Sequence, residues 1–278
     1  MEKNKKNIAA YISEYAAFIA LVLLVIVLGC ISPEFRTASN FLNLLRQAAF
    51  NGLIAFGMTC VILSDGIDLS VGSTFALSAI VCAQMIVSGM PAFVAIVASL
   101  IVGIALGIVS GLLVTKGRLQ PFIATLITMT AYRGLAMIIT DGKPISRLAA
   151  SIESESGAFL FKVLGKGNLV GVNTAKTKII VYAISGFMAA LAGLMMISRV
   201  DSAQPTLGDG YELDAIAAVA LGGTSMSGGR GKICGTFAGV LIIAVLNNGL
   251  NILGVSTYYQ EVIKAIVILI AVLSDRKR

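Results

Sequence analysis

The sequence predicts an all-α fold: a polytopic bundle of transmembrane helices with broken or re-entrant segments. Three observations predict it. Of 278 residues, 57% are hydrophobic and only 13% are charged, and the mean hydropathy of +0.93 lies outside the range of soluble domains. The stretch Leu69–Thr115 carries no charge and is long enough for two spans of about 20 residues each. The basic residues cluster in short loops beside apolar runs, as the positive-inside rule requires of cytoplasmic loops. That placement accounts for the net charge of +7 without nucleic acid. Residues 1–278 read as a single transmembrane domain.

The elements follow from apolar runs and their flanking charges. Lys3, Lys5 and Lys6 hold the N-terminus inside, with no small-residue cleavage site after the first apolar run. The first helix, about Tyr15–Ser32, leads out to a turn at Ile31–Arg36. A second, about Leu42–Leu63, returns, with Arg46 and Gln47 near the interface. Val71–Val87 goes out and Ala92–Val114 comes back, joined by a turn at Gly89-Met90-Pro91. Lys116 and Arg118 mark the inside. Pro121 suits the first turn of a fifth helix to Thr140, because its missing N–H has no partner there anyway. Reading back from Arg276-Lys277-Arg278, which hold the C-terminus inside, Val262–Leu273 begins outside and Ile233–Leu253 begins inside. Ala215–Leu221 descends from outside, so Ile179–Ile197 must start inside, where Lys176 and Lys178 stand.

Position 141 therefore lies outside and position 178 inside. Between them the longest apolar patch is Ala158-Phe159-Leu160-Phe161, far short of a span. Nine membrane segments cannot connect two inside termini: either the charge rule fails here or a helix is missing from this interval, and the internal consistency of both halves favours a missing helix.

Several chemistries are weak or absent. The chain has no histidine, the commonest metal ligand and general base, and no metal site or cofactor is expected. The four cysteines, Cys30, Cys60, Cys82 and Cys234, have no paired spacing and are expected to be buried free thiols. No Walker motif occurs, so uphill transport would need energy from a partner or an ion gradient. An aspartyl protease would need two carboxylates sharing a proton. Asp65 and Asp68, three apart on one loop, are poorly placed for that, and no catalytic residue is assigned.

Polar and small residues inside the membrane carry the remaining information. Two glycine-rich patches, Ser64–Ser73 and Leu221–Gly231, interrupt apolar sequence. Non-helical backbone at membrane depth survives only where protein or water satisfies it, and broken helices of this kind often line transport routes. The second patch, with Arg230 and Lys232, also reads as an interfacial loop. Asp65, Asp68, Ser70 and Ser73 are pathway candidates, and the two aspartates read equally as solvated loop residues. Arg133 would snorkel, pair with a carboxylate or face a cavity. Asn247 and Asn248 would glue helices together or line the route. A route of hydroxyls and amides suits a neutral polyol better than an ion. Gly103, Gly107 and Gly111, and Gly235 with Gly239, form small-xxx-small faces for close helix packing in the bundle or a dimer.

Taken together, several long motifs make the family recognisable: Asp65–Ser73, Gly111–Arg118 with Pro121–Leu126, Ser202–Pro205 with Gly210–Ala218, Leu221–Gly231, and Asn247–Asn251. Over nearly the whole chain they resemble the ribose-type permease subunits of bacterial ABC sugar importers. The resemblance implies an inner-membrane subunit of about ten membrane segments with both termini cytoplasmic. It implies a homodimer with a second permease copy, a periplasmic sugar-binding protein that delivers ribose or a related sugar, and a cytoplasmic ABC ATPase. The solute moves by alternating access, and the subunit itself is not an enzyme. A passive facilitator or channel for small polar solutes is the alternative.

Against that pattern, Gly165–Val170 resembles the run just before the sixth helix. Val172–Lys178 resembles the end of the cytoplasmic ATPase-docking loop just after it, leaving Asn173, Lys176 and Lys178 as its remnant. The sixth helix and most of the loop are absent at about 170–172. The charge pattern and the resemblance locate the same gap separately.

Overall fold

The computed structural model describes residues 16–146, 148, 174–226, 228–229 and 231–275. The basic N-terminal residues, Asn173, Arg230 and the last three residues lie outside that set, as does the whole interval 149–173 that holds the expected gap. Among the described residues the helices are α1 (Ala16–Ile31), α2 (Ala38–Leu63), α3 (Val71–Val87), α4 (Ala92–Thr115), α5 (Pro121–Thr140), α6 (Thr174–Val200), α7 (Tyr211–Leu221), α8 (Ile233–Ile252) and α9 (Thr257–Asp275). The only strands described are two residues each, β1 (Ile145–Ser146) and β2 (Ser202–Ala203). By length and composition α2, α4, α5, α8 and the Lys178–Val200 part of α6 can each cross a membrane, and α1 and α3 are shorter apolar helices. The 11 residues of α7 rise only about 16 Å, half the hydrocarbon core.

The outer surface is apolar. Val22, Leu23 and Ile26 of α1, Ile138 of α5 and Ile266 of α9 all lie more than half exposed, as lipid contact requires. For the same reason Cys30 and Cys234 are exposed rather than buried, with Cys82 buried and Cys60 between. An apolar run in a membrane helix has a lipid face as well as a protein face, so a cysteine within it is not necessarily interior.

Lipid offers no hydrophobic drive between helices, so packing depends on close approach and hydrogen bonds. α4 and α6 form the most extensive pair. Gly111 lies against Ile179, Gly107 against Tyr182 and Gly103 against Gly186 and Ala190, so the two helices run antiparallel with backbones in contact. Gly235 and Gly239 of α8 likewise lie against Gly222, which caps α7, and Ala218 within it.

The direction of each helix fixes the topology. Ser110 donates to Thr128 and Tyr132 donates to the Leu106 carbonyl, so α5 is antiparallel to α4 and therefore parallel to α6. The β1–β2 ladder pairs Ile145 with Ala203 and Ser146 with Ser202, setting the two exits side by side on one face. Leu148 is buried in the apolar cluster beneath that ladder. α6 begins at the opposite face, so the chain between 148 and 174 starts at one face and ends at the other. One face carries Lys116, Arg118, Lys178 and Lys232 and is called the basic face below; the other carries Glu34, Asp141 and Asp201 together with Arg36 and Lys143. In the short 3-10 turn Glu34–Arg36, Ser32 Oγ donates to Glu34 at 2.7 Å and holds its carboxyl below the usual value.

Candidate functional site

Two broken segments meet inside the bundle. Residues 64–70 leave α2 near the basic face and turn back along α6 before α3 begins. Residues 204–210 leave β2 from the other face and enter the bundle to start α7. Gly72 at the start of α3 lies directly against Gly208 and the Glu212 side chain, and a Cβ there would have no room. Gly208 itself takes a left-handed φ of +79° against Phe75, a conformation natural to glycine.

Hydroxyls satisfy the first broken segment. Asp68, 1% exposed, accepts from Ser70 N at 3.0 Å, Ser70 Oγ at 2.6 Å and Ser185 Oγ at 2.9 Å. Ser70 Oγ lies 3.3 Å from Ser110 Oγ, which donates to Thr128 Oγ1 at 3.1 Å. Thr125 and Tyr182 both donate to the Ile67 carbonyl. The carboxylate thus ties the α2–α3 connection directly to α6 and, through the Ser70 hydroxyl, to Ser110 of α4 and Thr128 of α5. Ser73 Oγ donates to the Ser70 carbonyl within the first turn of α3. Asp65 is exposed with φ +59°, and the second glycine patch packs beside its backbone: Gly228 lies against Asp65, and Gly229 N donates to the Leu63 carbonyl at 3.2 Å.

Arg133 secures the second broken segment. Its guanidinium donates to the Pro205 carbonyl at 2.6 Å and the Leu207 carbonyl at 3.1 Å and pairs with Asp209. Of the options open to it in the sequence, it takes the carboxylate partner and adds two backbone ones.

A cavity of about 490 Å³ lies between α2, α6, α7, α8 and α9. Its walls come from the halves of these helices away from the basic face. Amides line it: Gln47 and Asn51 on α2, Asn247 and Asn251 on α8, and Gln260 on α9. Tyr211, at the start of α7, stacks on Phe50 with ring centroids 5.8 Å apart, and both rings line the cavity. Lys264 Nζ contacts Asp214 Oδ1 at 3.1 Å, and Asn247 also hydrogen-bonds Asp214. Toward the basic face the cavity ends on a packed apolar cluster that includes Ile54, Met58, Ala189, Ala218 and Ile243, all at most 2% exposed.

Of the seven pathway candidates from the sequence, Asn247 alone lines this cavity. Asn248 turns to α2 and donates to Asn40 Oδ1 at 2.8 Å. Asp68, Ser70 and Ser73 form the hydroxyl junction, Asp65 lies exposed beside the glycine patch, and Arg133 pins 204–210. Gln47 and Asn51, and Asn247 and Asn251, stand four residues apart on single helices. That spacing on one face is a signal that sequence reasoning passed over. Tyr211, Asp214 and Lys264 gave no comparable signal, since their meeting depends on where the half-helix α7 begins.

Comparison with known proteins extends the geometry. The family model described as "Branched-chain amino acid transport system / permease component" matches residues 40–163 and 167–272. The ribose import permease protein RbsC of Bacillus subtilis is 48% identical, covering 100% of this chain and 97% of the relative. The Haemophilus influenzae protein of the same name is 44% identical over 99% and 96% of the two chains. The D-allose transport system permease protein AlsC of Escherichia coli is 35% identical over 99% and 95%. No solved structure matches. The chain is a multi-pass membrane protein, and it belongs to this family of transport-system permease components.

Proposed function

We propose that the chain is the membrane-spanning subunit of an ATP-driven importer for ribose, seated in a bacterial inner membrane with both termini cytoplasmic. Similarity to ribose import permeases over nearly the full length of both chains carries this reading. The geometry supports it: a polar cavity opens away from the basic face and is closed by apolar packing toward it. Moving a solute onward requires the helices around that cluster to separate, which is alternating access. The chain carries no Walker motif, and in this reading a cytoplasmic ABC ATPase hydrolyses the ATP. A periplasmic sugar-binding protein delivers the sugar, and a second permease copy completes the assembly.

We further propose that one membrane crossing and most of the ATPase-docking loop are missing near Gly171. Two features support this. The parallel course of α5 and α6 leaves the chain between them to change faces. The alignment with the Bacillus protein extends over 312 positions against 278 residues here, so at least 34 of its positions lack a counterpart. Ribose uptake into proteoliposomes, with and without ATPase and binding protein, tests the function. Full uptake without the ATPase would mark a passive facilitator instead.

A further inference from the structure

We propose that the cavity beside Tyr211 is a resting site for a neutral sugar within the membrane, held by the amides of Gln47, Asn51 and Asn247. The proposal rests on the transport reading above and adds to it a site and the residues that form it.

The amide oxygens are unsatisfied. Gln47 Oε1, Asn51 Oδ1 and Asn247 Oδ1 are each buried without a hydrogen-bond partner, and all three residues line one cavity. Buried polar atoms in folded proteins are ordinarily paired, so three orphans around one space call for a guest that donates hydrogen bonds. Sugar hydroxyls both donate and accept, and amides do likewise. An anion lacking hydroxyls offers acceptors only, and an apolar molecule offers nothing.

Charge selects in the same direction. The lining holds two cations, Arg199 and Lys264, and two anions, Asp214 and Glu261, and Lys264 is already paired with Asp214. The site therefore has no surplus charge to neutralise an ionic guest. Tyr211 adds a flat apolar wall, braced by Phe50 at an interplanar angle of 23°, against which the C–H face of a sugar ring can lie. The volume of about 490 Å³ falls within the usual range for small-molecule sites.

The test uses the full chain in proteoliposomes with Cys30, Cys60, Cys82 and Cys234 replaced and a single reporter introduced on the lining, Met196→Cys. A second reporter, Thr257→Cys at the rim, covers the case in which the first variant misfolds. Labelling by a small methanethiosulfonate reagent is timed with and without ribose. Ribose at ten times its Kd slows labelling about tenfold, as the unoccupied fraction falls, and an anionic sugar acid at equal concentration does not. Adding Gln47→Leu and Asn51→Leu to the Thr257→Cys reporter abolishes the protection. The site is overturned if saturating ribose leaves both reporters unprotected, or if the two leucine variants keep full protection. Uptake measured with the same reporters in the chain carrying at Gly171 the positions present only in the Bacillus relative separates the two claims. Protection together with ATPase-independent uptake sinks the importer reading and leaves the site, whereas ATP-dependent uptake without protection does the reverse.

Discussion

Ser185 on α6 donates its hydroxyl to the Asp68 carboxylate at 2.9 Å, across 117 positions of the chain. This bond joins the broken α2–α3 connection to the helix that packs against α2, α3 and α4. Its loss leaves a buried acceptor short of a donor, at a cost of about 1–3 kcal/mol. Ser185→Ala should lower the thermal midpoint of the detergent-solubilised protein accordingly. Asp68→Ala should lower it further, because it strands the hydroxyls of both Ser70 and Ser185. A midpoint unchanged in both variants would remove Asp68 from its place as the junction.

Gly239 of α8 lies against the Ala218 backbone with no room for a Cβ. Gly239→Val should destabilise by about 1–3 kcal/mol or more through overpacking. Gly134 on α5 has nothing within 4 Å of an added Cβ, so Gly134→Ala should be neutral to within about 1 kcal/mol. Heat-challenged size-exclusion profiles of the two variants give the contrast.

Arg133 supplies donors to two carbonyls of the 204–210 segment. Arg133→Met strands both, at about 1–3 kcal/mol each, and frees the entry to α7. A Thr206→Cys reporter should then label faster than in the parent, with protein yield retained. Equal labelling rates would mean that Gly208 and Gly72 hold the segment unaided.

The interval near Gly171 predicts weak coupling. The chain as it stands should retain the ABC ATPase in a pull-down less well than the Bacillus ribose permease does. Equal retention would show that the docking surface lies elsewhere.

Much of the fold was legible because lipid imposes a simple code. Apolar runs give α1 to α6, α8 and α9, and the small-xxx-small spacing of Gly103, Gly107 and Gly111 marks a face that meets α6. Charge alternation places the chain ends around 141 and 178 on opposite faces, and the β1–β2 ladder gives the same relation. The candidate site was less legible. Asp68 and Arg133 stand out as charges in apolar surroundings, yet both serve to hold broken backbone rather than to line the cavity. The cavity depends on side chains from five helices, and its wall at Tyr211 depends on α7 starting inside the bundle, where Gly208 packs against Gly72 and Phe75. No local pattern encodes that position.

The most direct test is ATP-dependent ribose uptake by two proteins in parallel: the chain itself, and the chain carrying at Gly171 the positions present only in the Bacillus relative. Both are reconstituted with ATPase and binding protein. The extended chain should accumulate ribose only when ATP and the ATPase are present, and the unextended chain should accumulate little. Equal uptake by both without ATPase, or no uptake by the extended chain with every partner supplied, would contradict the importer reading.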